Sequence, residues 1–114
     1  MGREEVTTRT EIPPGTLHML ILKSLSRLGP LHGYGIAQHI QQTSEILQVE
    51  EGSLYPSLQR MLIKGWVTAE WGQSENNRRA RYYRLTPAGK KQLSVEISEF
   101  ERVMQAITRV IQPA

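Results

Sequence analysis

Apolar residues in the first third of the chain recur at helical spacing. A first helix is predicted from residue 17, because Thr16 can cap it and Gly29-Pro30 can end it. Its apolar face comprises Leu17, Leu20, Ile21, Leu25 and Leu28. A shorter helix is predicted from about Gly33 to Gln42, with two glycines in its first turn. Glycine at a helix start allows close approach to a neighbouring helix or to a phosphate; packing is favoured, and both explanations stay open.

The segment EEGSLYPSLQRMLIKG, residues 50–65, has the apolar spacing of a third helix but contains a proline. A helix start near Ser53 explains Pro56, because first-turn N–H groups have no intrahelical acceptor. The buried face then comprises Leu54, Leu58, Met61 and Leu62. The opposite face has no reason to be buried within its own domain, and it carries Tyr55, Ser57, Gln59, Arg60 and Lys64.

From Trp66 the apolar period changes to two, which predicts two strands of a hairpin. The inward positions are Val67, Ala69, Trp71, Tyr83 and Leu85. By the same alternation Tyr82 faces outward. The stretch between the strands, GQSENNRRA at residues 72–80, is too long for a tight turn. It predicts an extended polar tip that is cationic on its return side.

The last helix is predicted to begin at Thr86-Pro87, a cap residue followed by proline at the first helical position. Its apolar residues are spaced alternately four and three apart, which is a heptad seam that needs a surface to lie on. Each seam residue buried between subunits would stabilise a dimer by roughly 1.5–3 kcal/mol. The predicted dimer interface comprises Leu93, Ile97, Phe100, Val103, Met104, Ile107 and Ile111, with Val110 on the flank.

Charge is concentrated in the middle of the chain. Residues 51–91 carry eight basic and three acidic side chains, whereas residues 1–50 and 92–114 each have a net charge of −1. A polyanion would fit such a face, although an ordinary solvated surface can carry the same charge. The chain has no cysteine, which excludes disulfides and cysteine-based zinc sites. It has neither a signal peptide nor an apolar run near the ~20 residues of a membrane span, so we expect a cytoplasmic protein.

Three helices, a hairpin with a basic tip and a terminal helix follow one another in the order of a winged helix-turn-helix DNA-binding domain. The predicted fold class is therefore mainly α with a small β-hairpin. Residues 1–15 are predicted to be a flexible arm, residues 16–86 the DNA-binding domain and residues 87–114 a C-terminal dimerisation helix. In this architecture the third helix enters the major groove and the hairpin contacts DNA alongside. The candidate DNA-binding residues are Ser53, Tyr55, Pro56, Ser57, Gln59, Arg60, Lys64, Arg78, Arg79 and Arg81.

Four motifs carry a resemblance to the PadR family of bacterial transcriptional regulators over roughly residues 15–111. They are LHGYGIA at 31–37, GSLYPSLQRM at 52–61, KGWV at 64–67 and RARYYRLTPAG at 79–89. The resemblance implies a homodimer that binds a palindromic operator in double-stranded DNA, usually as a repressor, and leaves it when a small aromatic or hydrophobic effector binds. Phe100 and Met104 are candidate effector-pocket residues near the implied dimer interface. Family hairpins commonly carry a glycine at the tip, whereas this chain has Asn76-Asn77, which bears on how deeply the tip enters the minor groove.

Two other functions stay open: a winged helix that serves as a protein-interaction module, and a protein that binds hydrophobic ligands without specific operator binding. The spread of basic residues over helix and hairpin disfavours both. No recognisable catalytic motif or phosphate loop is present, so we predict neither an enzyme nor a cofactor. His18, His32 and His39 lie on different segments, which disfavours a metal site. Trp66 is expected in the core, whereas Trp71 could be buried or exposed.

Overall fold

The computed structural model of the protein describes residues 9–13 and 15–113. The helices are α1 (Leu17–Leu28), α2 (Gly33–Thr43), α3 (Glu51–Ile63) and α4 (Pro87–Ile111). The strands are β1 (Thr10–Glu11), β2 (Leu31–His32), β3 (Leu47–Gln48), β4 (Val67–Gln73) and β5 (Arg79–Leu85). The sheet order is β2-β5-β4, all antiparallel, while β1 pairs with β3 in parallel. The predicted fold class, mainly helical with a small hairpin, is confirmed.

We call the β4–β5 hairpin the wing. The core lies where α1, α2 and α3 pack against the base of the wing. Its most deeply buried side chains are Ile21, Leu22, Leu25, Ile36, Leu54, Leu58, Met61 and Val67. Tyr83 is buried on one face of β5, and Tyr82 is half-buried on the other, where its hydroxyl donates to the Gln73 carbonyl at 2.9 Å. The alternation predicted for the two tyrosines is therefore confirmed.

Residues 9–12 lie against the segment that precedes α3. Strand β1 pairs with β3, and the Arg9 guanidinium donates to the Leu47 carbonyl at 2.6 Å. From the other side, the Gln41 side-chain oxygen accepts a 2.8 Å hydrogen bond from the Val49 N–H. These bonds hold the connector before α3 in place. The predicted arm also includes residues 1–8 and Pro14, which lie outside the described residues.

Helix α3 begins at Glu51, so the predicted start near Ser53 is wrong. The N–H groups of Ser53 and Leu54 donate to the same carbonyl, that of the residue before the helix, and close the first turn. Pro56 therefore lies in the second turn, where it leaves the Gly52 carbonyl without a helical N–H partner. Gly52 is exposed, so water can serve this carbonyl. Leu54, in the first turn, is 1 % exposed and belongs to the core.

The strands of the wing extend further than predicted, so the extended tip of residues 72–80 is also wrong. The loop spans only residues 74–78 and is closed by a 2.8 Å hydrogen bond from the Ser74 N–H to the Arg78 carbonyl. The Asn77 N–H donates to the Ser74 carbonyl at 2.9 Å, and Asn77 has a φ of 61°. Asparagine tolerates this left-handed conformation, which glycine favours, so it permits the tight turn without a glycine.

The start of α4 is the one predicted. The Thr86 hydroxyl oxygen accepts a 3.0 Å hydrogen bond from the Gly89 N–H. The same hydroxyl donates its own proton to the Gly65 carbonyl at 2.7 Å. Pro87 follows as the first helical residue. A Cβ at position 89 would overlap the Trp66 carbonyl oxygen. Glycine therefore lets the first turn of α4 lie directly against the Trp66 backbone, just after the end of α3.

Helix α4 has two halves with different surroundings. In the near half, residues 87–97, Leu93 is buried and Ile97 is half-buried, and this half packs against α1. In the far half, residues 98–111, every residue is exposed. The domain thus covers only the first part of the predicted seam.

Candidate nucleic-acid interface

Tyr55 connects α3 to the start of α2. Its ring lies so close to Gly33 that a Cβ there would sit 2.6 Å from the tyrosine oxygen. Gly33 is therefore required for close packing between the two helices, which is the favoured explanation for a glycine at this helix start. Tyr55 is still 46 % exposed, and burial of its inner side, followed by the charge of Glu51, raises its pKa. The phenol therefore stays protonated and can donate a hydrogen bond.

The exposed side of Tyr55 faces an open groove of about 650 Å³ between α3, the start of α2 and the wing, which we call the wing groove. Aromatic rings and guanidinium groups share its walls. The aromatic and arginine residues considered are Tyr34, Tyr55, Trp71, Arg78, Arg79 and Arg81. The structure thus brings Tyr55 together with all three predicted wing arginines. Such a surface can contact phosphates through the arginines and sugars or bases through the rings.

A second groove, of about 390 Å³, lies on the other side of α3, between this helix and the arm. Its walls include four candidate residues of α3 together with two carboxylates of the arm and connector. The candidates are Ser53, Pro56, Ser57 and Arg60, and the acidic residues are Glu11 and Glu50. The exposed surface of α3 is therefore divided, with three arginines and Glu75 on the wing side, and with Glu11 and Glu50 beside Arg60 on the arm side.

Ser57 is 3 % exposed, so the prediction that it lies on the outward face of α3 is wrong. Its hydroxyl accepts a 3.3 Å hydrogen bond from the Arg60 guanidinium, which positions that side chain. Ser57 follows Leu54 by three residues and precedes Met61 by four, so the helical repeat places it on the same buried face. Gln59 and Lys64 are exposed and line neither groove; the Lys64 ammonium lies 5.4 Å from the centre of the Trp66 ring.

The tip of the wing approaches the start of α2. The His32 Nδ1 atom accepts a 2.9 Å hydrogen bond from the Gly35 N–H and so caps α2. Its Nε2 atom lies 3.6 Å from a carboxylate oxygen of Glu75 in the wing loop. A hydrogen bond from the backbone of Glu75 itself, and then the His32 contact, lower the pKa of this carboxyl. Glu75 is therefore negatively charged at neutral pH, in the same loop as the positively charged Arg78.

The candidate effector residues lie beside a hollow of about 460 Å³ between the start of α1 and the middle of α4. Phe100 and Val103 belong to its wall, whereas Met104 does not. His18 also lines it; within the described residues its buried Nε2 atom has no hydrogen-bond partner. Burial lowers the pKa of His18, against the opposing effect of Glu96. The hollow therefore combines an apolar wall with one imidazole side chain.

Residues 9–13 and 15–113 contain no group of three or more His, Asp or Glu side chains that could hold a metal ion. Within the same part of the chain, no helix combines the length and apolarity needed to cross a membrane.

A helical domain whose basic hairpin flanks the exposed face of its third helix is a winged-helix domain. Residues 21–95 match the model of the transcriptional regulator PadR-like family, so the chain belongs to the PadR family of transcriptional regulators. DNA binding is implied by membership of this family.

Similar proteins cover nearly the whole chain. An uncharacterized protein of Lysinibacillus sphaericus is 32 % identical over 100 residues, which is 87 % of this chain and 91 % of that protein. The structure of a transcriptional regulator from Clostridium thermocellum superposes with a TM-score of 0.77 at 28 % identity, over 86 % of this chain and 95 % of its own. A PadR family transcription regulator from Clostridium difficile has a TM-score of 0.72 at 28 % identity, over 86 % of this chain and all of its own.

Two aromatic residues of the wing groove, Tyr34 and Trp71, were not among the predicted interface residues. Tyr34 is 69 % exposed and Trp71 is 60 % exposed, although strand alternation placed Trp71 among the inward positions. The alternation was correct, but the inward face of β4 extends beyond the core at Trp71. The tight loop at residues 74–78 could have revealed this, because it sets the register that brings Trp71 near Arg79.

Proposed function

We propose that the protein is a repressor that binds an inverted-repeat operator as a homodimer and is released by a small hydrophobic or aromatic effector. The observation that carries the DNA-binding part is the wing groove, where Tyr55 of α3 and Arg78, Arg79 and Arg81 of the wing converge. Phosphate contacts from such arginines supply affinity, and α3 would contact base edges in the major groove. This function would place the protein in the cytoplasm, with the DNA.

The dimer part rests on the far half of α4. Six apolar side chains there are between 38 % and 83 % exposed: Phe100, Val103, Met104, Ile107, Val110 and Ile111. Monomeric proteins rarely leave so long an apolar stripe uncovered, and a second copy can cover it symmetrically. Such a pairing would set two α3 helices about 34 Å apart, one turn of B-DNA, which favours an inverted repeat.

The effector part rests on the hollow beside Phe100, since this residue also belongs to the proposed dimer interface. A compound bound there would change the packing of α4 and hence the spacing of the two DNA-binding domains. It would release the operator only if it prefers the dimer geometry that does not fit DNA.

The test is selection from a randomised duplex pool, followed by titration of the enriched site at several salt concentrations. We expect an inverted repeat, with log affinity falling linearly against log salt by roughly 0.9 per phosphate neutralised. The double variant Arg79→Glu/Arg81→Glu should lose binding, whereas Lys23→Glu, at an exposed position outside both grooves, should retain it.

Weak binding to every duplex without enrichment would contradict operator recognition and favour a protein-interaction module or a ligand-binding protein. The effector part is tested separately, by adding aromatic compounds to the protein–operator complex. Unchanged operator affinity would refute release by those compounds and leave operator binding intact.

A further inference from the structure

We propose that Trp71 is a positioning residue for DNA binding, which holds the Arg79 guanidinium on the α3-facing side of the wing. It follows that this side of the wing contacts the sugar-phosphate backbone. The proposal rests on the DNA-binding function proposed above and goes beyond it, because it assigns a role to a residue outside the predicted interface.

Strand register places the two side chains together. Trp71 lies opposite Arg81, and Gln73 lies opposite Arg79, so Trp71 and Arg79 are diagonal neighbours on one face of the wing. The same face bears Val67 at the base, where it belongs to the core. Beyond the core this face borders the wing groove, across from Tyr55.

The contact between them is a cation–π interaction. The guanidinium carbon of Arg79 lies 4.7 Å from the centre of the Trp71 ring. Among residues 9–13 and 15–113, no carboxylate pairs with Arg79 and no acceptor takes its N–H groups. Stacking restricts a long flexible side chain while leaving its edge donors available, which lowers the entropy cost of binding a phosphate.

The tip of the wing carries charges of both signs. Its loop, residues 74–78, contains Glu75, whose carboxylate is directed toward His32 at 3.6 Å, and Arg78, with the neutral Asn76 and Asn77 between them. The Glu75 carboxylate would be repelled by phosphates on both walls of a minor groove. Along the strands, Arg79 and Arg81 share the face that carries Trp71, and no acidic residue of β4 or β5 lies on that face.

The experiment is a double-mutant cycle on the full chain, with the enriched duplex as ligand. Trp71→Leu should weaken binding by about two- to fivefold, the affinity equivalent of an exposed cation–π contact. Trp71→Phe, which retains an aromatic face, should restore most of the loss. Arg79→Ala should weaken binding further, and adding Trp71→Leu to it should have no additional effect.

The salt dependence separates positioning from a merely structural role. Arg79→Ala should reduce the slope of log affinity against log salt by about 0.9, because one phosphate contact is lost. Trp71→Leu should leave the slope unchanged, since Arg79 still reaches its phosphate from a less ordered starting state. If the substitution disrupted the structure of the wing, the phosphate contact of Arg81 would be lost as well, and the slope would fall by more.

Three outcomes would overturn the proposal. If Trp71→Leu binds like the wild-type protein while Arg79→Ala is impaired, DNA binding stands and the positioning role fails. An equal loss from Trp71→Leu with and without Arg79 would show that Trp71 acts independently of that arginine. If the wild-type protein binds no duplex, the proposed function fails and the role of Trp71 fails with it.

Discussion

The near and far halves of α4 carry the same heptad pattern in opposite surroundings. In the near half Leu93 is 6 % exposed and packs with the core, whereas in the far half Ile107 is 46 % exposed. The apolar spacing is the same in both halves, so it specifies a face of the helix but not what covers that face. The near half is covered because Thr86 and Gly89, at its start, attach it to Gly65 and Trp66, which follow α3. Variants in each half of the helix test this difference.

Gly89→Ala should cause the largest loss of stability, about 3 kcal/mol, because the new Cβ would overlap the Trp66 backbone carbonyl. Gly52→Ala is the matched control, since Gly52 also lies in the first turn of a helix but has open space around it. The control should change stability by at most about 1 kcal/mol, in the stabilising direction. Chemical denaturation measures both variants. Equal effects would show that α4 does not depend on close approach to α3.

Leu93→Ala and Ile107→Ala compare the same seam across the two halves. Leu93→Ala should lower the free energy of unfolding by about 2–3 kcal/mol at every protein concentration, because it leaves a cavity within one chain. Ile107→Ala should leave the domain itself nearly unchanged and weaken the proposed dimer by about tenfold. Thermal unfolding and analytical ultracentrifugation over a concentration series separate the two effects. A concentration-independent loss in Ile107→Ala would contradict a subunit interface at the far half.

Thr86→Ala removes the side-chain cap of α4 and should cost about 1 kcal/mol. Thr16 occupies the same position before α1, but its hydroxyl donates to the Pro13 carbonyl and makes no cap hydrogen bond. Thr16→Ala should therefore change stability by less than about 0.5 kcal/mol. Denaturant midpoints compare the two variants. A larger effect at Thr16 would show that the arm contact matters more than the cap.

The smallest effect concerns pH and His18, which lies beside the near half of α4. Burial lowers its pKa in the folded protein below the usual 6.5, so between the two pKa values the unfolded chain binds more protons. Stability should therefore fall as the pH drops from about 6.5 through the folded pKa and level off below it. His18→Gln should reduce this pH dependence, measured as melting temperature at fixed ionic strength. An unchanged profile would show that other groups cause it.

Local signals predicted α4 well and α3 poorly. Thr86, Pro87 and Gly89 form a helix start within four residues, and no distant part of the chain competes with it. The start of α3 is set instead by the Glu50 carbonyl, which accepts from the Ser53 and Leu54 N–H groups and so places Pro56 in the second turn. Ser57 was assigned to the wrong face because it is polar, although it lies three residues after Leu54 and four before Met61. The candidate interface could thus be assigned to helix and wing as elements, while the positions of individual side chains needed the packed structure.

By itself the sequence determined the class of this protein. The order of helices and strands, the concentration of basic residues at 51–91 and the Thr86-Pro87 start follow from local composition and spacing, and four motifs carry the resemblance to the PadR family. Only the tertiary structure decided that Tyr55 packs on Gly33, that Trp71 stacks with Arg79, and that α4 is covered over its near half alone. The physical reason is that propensity and periodicity act within one element, whereas contacts between elements depend on register and packing that no single segment encodes.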